Sequence, residues 1–241
     1  MTLLVDFLCR FGWGMAVGLL LTPTRLVPSG FFRINILVVM GLATFAALVA
    51  GTTLPGPVVW LTGVAAVVGW AGSVAWFMQR DRLGLAACAV CGFALAAATV
   101  LVAGDWTAAI AALLSGLVVG LTVHAMLLGH WYLNAPGMRI DALKRMIDLA
   151  LVAWAARLAM ALVAAWPTVG QLAAADRAML AMLALRWLAG FAGLPALLWL
   201  SRKTLDIPNT QSATGILYVA CLAAITGELA GQLLHTLHAF A

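Results

Sequence analysis

The last apolar stretch of the chain carries a line of side chains able to exchange protons or hydrogen bonds: Gln211, Thr214, Tyr218, Cys221, Glu228, Gln232 and His235, with Ile225 filling one step. The spacing alternates between three and four residues throughout. On a helix these positions share an arc of about 120° over about 36 Å, enough to cross a bilayer. Glu228 is the only glutamate in the chain and sits deep among Ile, Leu, Ala and Gly. A carboxylate at that depth normally faces protein or a water-filled space, which makes it a functional candidate.

Two further charges, Arg157 and Arg186, fall in the middle portion of their own apolar segments. The simplest arrangement pairs Glu228 with Arg186 or with Arg157. Such a pair either only fixes helix register or forms a centre that changes protonation or contacts a polar ligand. In the second case Gln232 and His235 continue the polar line outward, and Tyr218 and Thr214 continue it inward. The gaps at Cys221 and Ile225 would need water or a neighbouring helix. Asp6 and Arg10 are one helical turn apart, near the same outer face as His235 and His238. They can pair with each other and could line an outer vestibule with those histidines.

A second polar cluster belongs to the opposite end. One apolar stretch closes with His124, His130, Trp131, Tyr132, Asn134 and Pro136. Another opens after Pro208 with Asn209, Thr210, Gln211, Ser212 and Thr214. Together they could form a pocket at the cytoplasmic end for a quinone head, a lipid head or an anion. The alternative is an aromatic belt on one helix and an N-cap on the other.

No catalytic constellation and no metal site is expected. The chain has no phosphate loop, dinucleotide fingerprint, H-E-x-x-H or nucleophile elbow. Cys88 and Cys91 form a C-x-x-C without a second ligand pair, which reads as small residues at a helix contact. Intrinsic haem b is disfavoured because His124 and His130 lie toward one membrane surface and His235 and His238 toward the other.

The elements that position these residues are membrane helices. Of 241 residues, 65% are hydrophobic and only 9% charged, against about 25% charged in soluble chains. The reading is an all-α polytopic transmembrane bundle forming one integral membrane domain over residues 1–241. Breaks at Pro, Gly and charge mark about eight spans, near 3–22, 34–52, 58–78, 83–103, 107–133, 146–166, 178–200 and 212–238. Residues 1–21 have no basic residue ahead of their apolar core and no small-x-small cleavage pattern, so they read as a retained first helix.

Arg25, Arg33, Arg80, Arg82, Arg139, Lys144, Arg145, Arg202 and Lys203 flank alternate turns, whereas Arg177 stands alone on the other side. That asymmetry places both termini away from the cytoplasm. Basic residues scattered along the turns form no patch for nucleic acid. Small residues four apart, at Gly14/Gly18, Gly116/Gly120 and Gly227/Gly231, allow close helix approach.

Compactness, the polar line and the inner cluster lead to the first functional expectation. The chain would be a membrane subunit of an energy-transducing or electron-transfer complex, handling quinone or protons without a redox cofactor of its own. It would sit in a lipid bilayer, in a bacterial cytoplasmic membrane, beside partner subunits, and be accessory rather than a self-sufficient enzyme. The alternatives are a transporter of a small solute or ion, with Arg186 attracting an anion, and a structural or assembly subunit. Two features weigh against the transporter: no internal repeat and no sign of a broken mid-membrane helix.

Overall fold

Long apolar runs can satisfy their backbone hydrogen bonds in hydrocarbon only as helices or closed barrels. The computed structural model describes residues 2–54, 56–135, 137–165, 177–207 and 209–236, and among these every long element is a helix. They are α1 (Thr2–Leu21), α2 (Ser29–Ala50), α3 (Gly56–Phe77), α4 (Asp81–Ala103), α5 (Trp106–Asn134), α6 (Asp141–Ala165), α7 (Arg177–Leu185), a π-helical segment (Arg186–Gly193), α8 (Leu194–Thr204) and α9 (Thr210–Thr236). α7, the π segment and α8 form one span, Arg177–Thr204, giving eight spans long and apolar enough to cross a membrane. The protein is an all-α polytopic membrane bundle.

Most helix starts lie within two residues of the sequence expectation. The exceptions are α2 and α6, each of which starts five residues earlier. Their opening turns hold Arg33 in one case and Asp141, Lys144 and Arg145 in the other, which depress hydropathy without disfavouring helix. Asp141 also complements the partial positive charge of the α6 N-terminus. His238, Pro136 and Pro208 lie outside the described residues, as do the outermost positions of the expected spans 146–166 and 212–238.

The tight turns are built by specific residues. Gly104 adopts φ +82°, which a side chain would resist, and ends α4. Asp105 then caps α5, its Oδ1 accepting from Thr107 N (2.8 Å), Ala108 N (2.9 Å) and Thr107 Oγ1 (2.6 Å). The short link forces α4 and α5 to run antiparallel.

α1 and α5 form the central pair. α1 also packs on α2 and α4, with α3 between those two; α5 also packs on α6 and α9, with α8 between those two. The seam is made of glycine. A Cβ on Gly14 would overlap the Gly116 backbone, one on Gly120 would overlap that of Gly14, and one on Gly18 would come 2.7 Å from the His124 ring. Without a strong hydrophobic drive between helices in lipid, this backbone contact supplies the packing. Trp13 Nε1 adds a hydrogen bond to Leu113 O at 3.2 Å.

α6 and α9 both lean on α5 but do not pack directly on each other. The gap between them holds the candidate site.

Candidate functional site

Three ionisable side chains meet at one depth because their helices place them so. Glu228 lies eight residues before the end of α9, Arg157 eight before the end of α6, and Arg186 nine after the start of α7. At 1.5 Å per residue each is about 12–14 Å from the same end of the bundle. All three residues are buried, at 7–8% exposure. Arg157 Nε stands 3.5 Å from Glu228 Oε1, an ion pair bridging the α6–α9 gap. That distance is too long for a direct hydrogen bond, and Arg157 Nε makes none among the described residues.

Arg186 approaches from the other flank, in electrostatic reach of both Arg157 and Glu228. Its stem crosses α9 at Gly231, where a Cβ would come 3.5 Å from Nε. Its guanidinium lies 5.8 Å from the Phe191 ring centroid. One turn away, a Cβ on Gly227 would come 2.5 Å from Gly190 Cα. The Gly227/Gly231 spacing therefore has two uses: one glycine admits the backbone of the seventh span and the other admits its arginine.

The seventh span stays one continuous helix here but changes locally to π-helical geometry, which the sequence expectation does not include. Leu194 N–H bonds Ala189 O, five residues back, as in a π-helix. Pro195 follows and has no N–H to give the normal i−4 bond. Gly193 leaves room for the Leu188 carbonyl, which a Cβ there would meet at 3.0 Å. Gly190, Gly193 and Pro195 were the readable signal; π turns of this kind recur at functional sites.

Above the ion pair lies a cavity of about 490 Å³. Its walls come from the first turns of α1, the α4–α5 turn, the start of α5, the outer halves of α6 and α9, and Arg186. Thr2, Asp105 and Thr236 border its mouth, and Arg157, Arg186 and Glu228 border its floor. Asp6 and Arg10 contribute a second ion pair, with Arg10 Nε donating to Asp6 Oδ1 at 2.7 Å. Asp6, Arg10 and His235 share the lining, as the vestibule expectation has it; Asp105, Thr107 and Met160 join them without having been singled out in the sequence.

Gln232 is the exceptional side chain. It is 6% exposed, it lines the cavity, and neither its amide nitrogen nor its oxygen has a partner among the described residues. Both ends lack a partner, so the conclusion does not depend on the orientation of the amide. Leaving such atoms unpaired costs about 1–3 kcal/mol each.

The rest of the polar line does not border this cavity. Gln211 and Tyr218 are exposed and Ile225 is half-buried, while Thr214, Cys221, Glu228 and Gln232 are buried. The cause is geometric: a 3.5-residue repeat drifts by about 20° per seven residues around a straight helix. The line therefore straddles the boundary between the packed and outward faces of α9 and is not one continuous wall.

The inner cluster is likewise dispersed. His124 is fully buried, with Nε2 2.7 Å from Thr22 Oγ1 and its ring edge-on to Phe31. His130 is exposed and pairs through Nδ1 with the Tyr218 hydroxyl at 3.1 Å. Tyr132 OH donates to Arg139 O, and Asn134 Nδ2 donates to His130 O at 3.3 Å. Thr214 Oγ1 donates to Thr210 O, Asn209 Oδ1 accepts from Ser212 N at 2.9 Å, and Gln211 is exposed. These residues close local turns and helix contacts instead of converging on one space.

At that end charges join elements. Asp148 pairs with Arg202 at 3.0 Å, not with the adjacent Arg145 that its position suggests, and Asp206 holds Lys144 at 3.3 Å and Arg202 at 3.2 Å. All four cysteines are free and buried; Cys91 donates to Ala65 O across α3 and α4 at 3.3 Å. Comparison with protein-family models, with curated proteins and with solved structures found no match to this chain.

Proposed function

We propose that this chain is a membrane protein that binds a small polar solute from the non-cytoplasmic side, as a transporter does before translocation, in the cytoplasmic membrane of a bacterium. The carrying observation is the cavity closed below by Arg157–Glu228 and lined by the unpartnered Gln232. Its size suits a small molecule, since ligand pockets hold about 300–1,000 Å³. The π segment beside Arg186 supports the reading, because π turns recur at functional sites. Access from one side at a time is what an alternating-access cycle requires of its outward-facing state.

The test is uptake into vesicles reconstituted with the full chain, using radiolabelled lactate, glycine, phosphate and choline. Uptake of at least one, lost in Glu228→Gln and Arg186→Ala, supports the proposal. Uptake of none, or uptake indifferent to both substitutions, removes it.

A second reading keeps the chain as a subunit of an energy-transducing complex that handles protons or quinone. It is favoured by three protonatable groups, Asp6, Glu228 and His235, sharing one cavity open to one side. In that case Glu228→Gln abolishes proton-linked turnover of the native complex while leaving its assembly intact, and solute uptake is never observed.

A further inference from the structure

Resting on the solute-binding reading, we infer the class of solute: a small carboxylate bearing a hydroxyl or ammonium on the neighbouring carbon. The argument begins with which hydrogen-bonding atoms at the cavity floor remain unspent. Arg157 Nε and Gln232 Nε2 are donors without a hydrogen-bonded acceptor among the described residues, and Gln232 Oε1 is an acceptor without a donor. Glu228 and Gln232 are one turn apart on α9, so their side chains are neighbours on one face. Arg157 Nε stands 3.5 Å from the Glu228 carboxylate. Less than 1 Å² of each unpartnered atom is exposed, so a molecule in the cavity meets them once the Gln232 and Arg157 side chains turn toward it.

Their mixture is selective. A ligand carboxylate seated above the pair accepts from Arg157 and from the Gln232 amide, which are the two geometries that oxyanions favour. It also brings negative charge toward Glu228, so it needs a compensating donor on the same side. A hydroxyl or ammonium on the adjacent carbon supplies that donor to Gln232 Oε1 or Glu228. Choline offers the two donors only a neutral hydroxyl oxygen and brings its positive charge toward the guanidinium. An inorganic anion without a hydroxyl, such as chloride, leaves Gln232 Oε1 unpaired. A neutral polyol makes the hydrogen bonds but forgoes the charge of Arg157. Arg186, on the opposite flank, sets the potential of the floor; the inference does not depend on how its own hydrogen bonds are met.

Gln232 makes the inference separable from packing. Because it makes no hydrogen bond to a described protein atom, Gln232→Leu removes polar ligand contacts without removing a protein hydrogen bond. The experiment is equilibrium binding of radiolabelled lactate and glycine to the purified full chain in nanodiscs, with glycerol and choline as competitors. Saturable binding of lactate or glycine is expected, insensitive to glycerol and choline. Gln232→Leu should weaken it about 10- to 100-fold, as expected for one hydrogen bond to a charged group, with the melting temperature unchanged or raised. Arg157→Lys, which keeps the charge but moves the donor, should weaken it as well.

Absence of saturable binding by both probes overturns the inference, as does binding that neither substitution alters, or displacement by choline or glycerol equal to that by unlabelled probe. An Ala111→Cys variant distinguishes this failure from failure of the underlying reading. Ala111 lines the cavity and the four native cysteines are buried. If this cysteine reacts with a membrane-impermeant maleimide and a probe of another class protects it, the cavity reading stands and only the carboxylate class falls. If it does not react, both fall.

Discussion

At the scale of single residues, the Arg157–Glu228 pair contributes most through what would follow from breaking it. Both side chains are about nine-tenths buried, and removing one partner leaves the other charged in a site poor in water. Arg157→Met should therefore destabilise the protein by about 3–5 kcal/mol, whereas Arg157→Met with Glu228→Gln should recover much of that loss. Reversible unfolding in mixed micelles measures the difference. Asp206 behaves differently because it lies at the surface. The Lys144 ammonium, then Lys203 and Arg202, hold its carboxyl below the usual carboxylate value of 3.8. Its stabilising contribution is thus present above that value and lost as pH falls through the lowered one. The link between α6 and the α8–α9 turn should persist to about pH 4 and loosen only in stronger acid. Asp206→Asn should remove that acid-dependent step from a stability–pH profile.

At the scale of helices, the close contacts depend on missing side chains. A methyl group on Gly227 would sit 2.5 Å from Gly190 Cα, with backbone on both sides and nothing flexible to yield. Gly227→Ala should cost about 1–3 kcal/mol by overpacking and should also move Glu228 relative to Arg186, weakening solute binding. Gly215, on the same helix, has nothing within 4 Å of its would-be Cβ. Gly215→Ala should therefore be neutral or stabilising by up to about 1 kcal/mol, through helix propensity alone. Comparing the two variants by thermal unfolding separates close packing from propensity. The π segment belongs to this scale too. Replacing Pro195 by Ala restores the missing N–H and should favour a regular helix, changing Arg186 position more than stability. Altered maleimide reactivity of cavity cysteines reports that change.

At the scale of the whole molecule, the bundle has a charged end and a cavity end. Nine basic residues flank the turns of one end, and the α4–α5 turn at the other carries only Asp105. On the positive-inside expectation the cavity mouth faces away from the cytoplasm, which labelling tests. Cysteines introduced at Ala108 or Ala111, both in the cavity lining, should react with an impermeant reagent applied from the non-cytoplasmic side of intact cells. Cysteines in the 205–207 turn should react only after permeabilisation. The opposite pattern would invert the topology and with it the direction of access.

Composition, hydropathy and Gly/Pro punctuation were enough to determine eight helices and their approximate bounds, because hydrocarbon permits a single-chain helical segment little freedom. The same reading found Glu228, Arg157 and Arg186, because a charge in an apolar run is visible without a structure. It also found the glycine pairs, though not their partners. What only the tertiary structure decided is which groups share a space. The drift of a 3.5-residue repeat split the polar line of α9, leaving Tyr218 outward and Gln232 inward. Local hydrogen bonds dispersed His124, Tyr132 and Thr214 into separate contacts. The gap between α6 and α9 gathered Arg157, Glu228 and Gln232, with Asp6 and Arg10 from the far end of the chain. Spacing along one helix records a direction from its axis; whether that direction meets lipid, backbone or an open cavity depends on the neighbours, which packing alone sets.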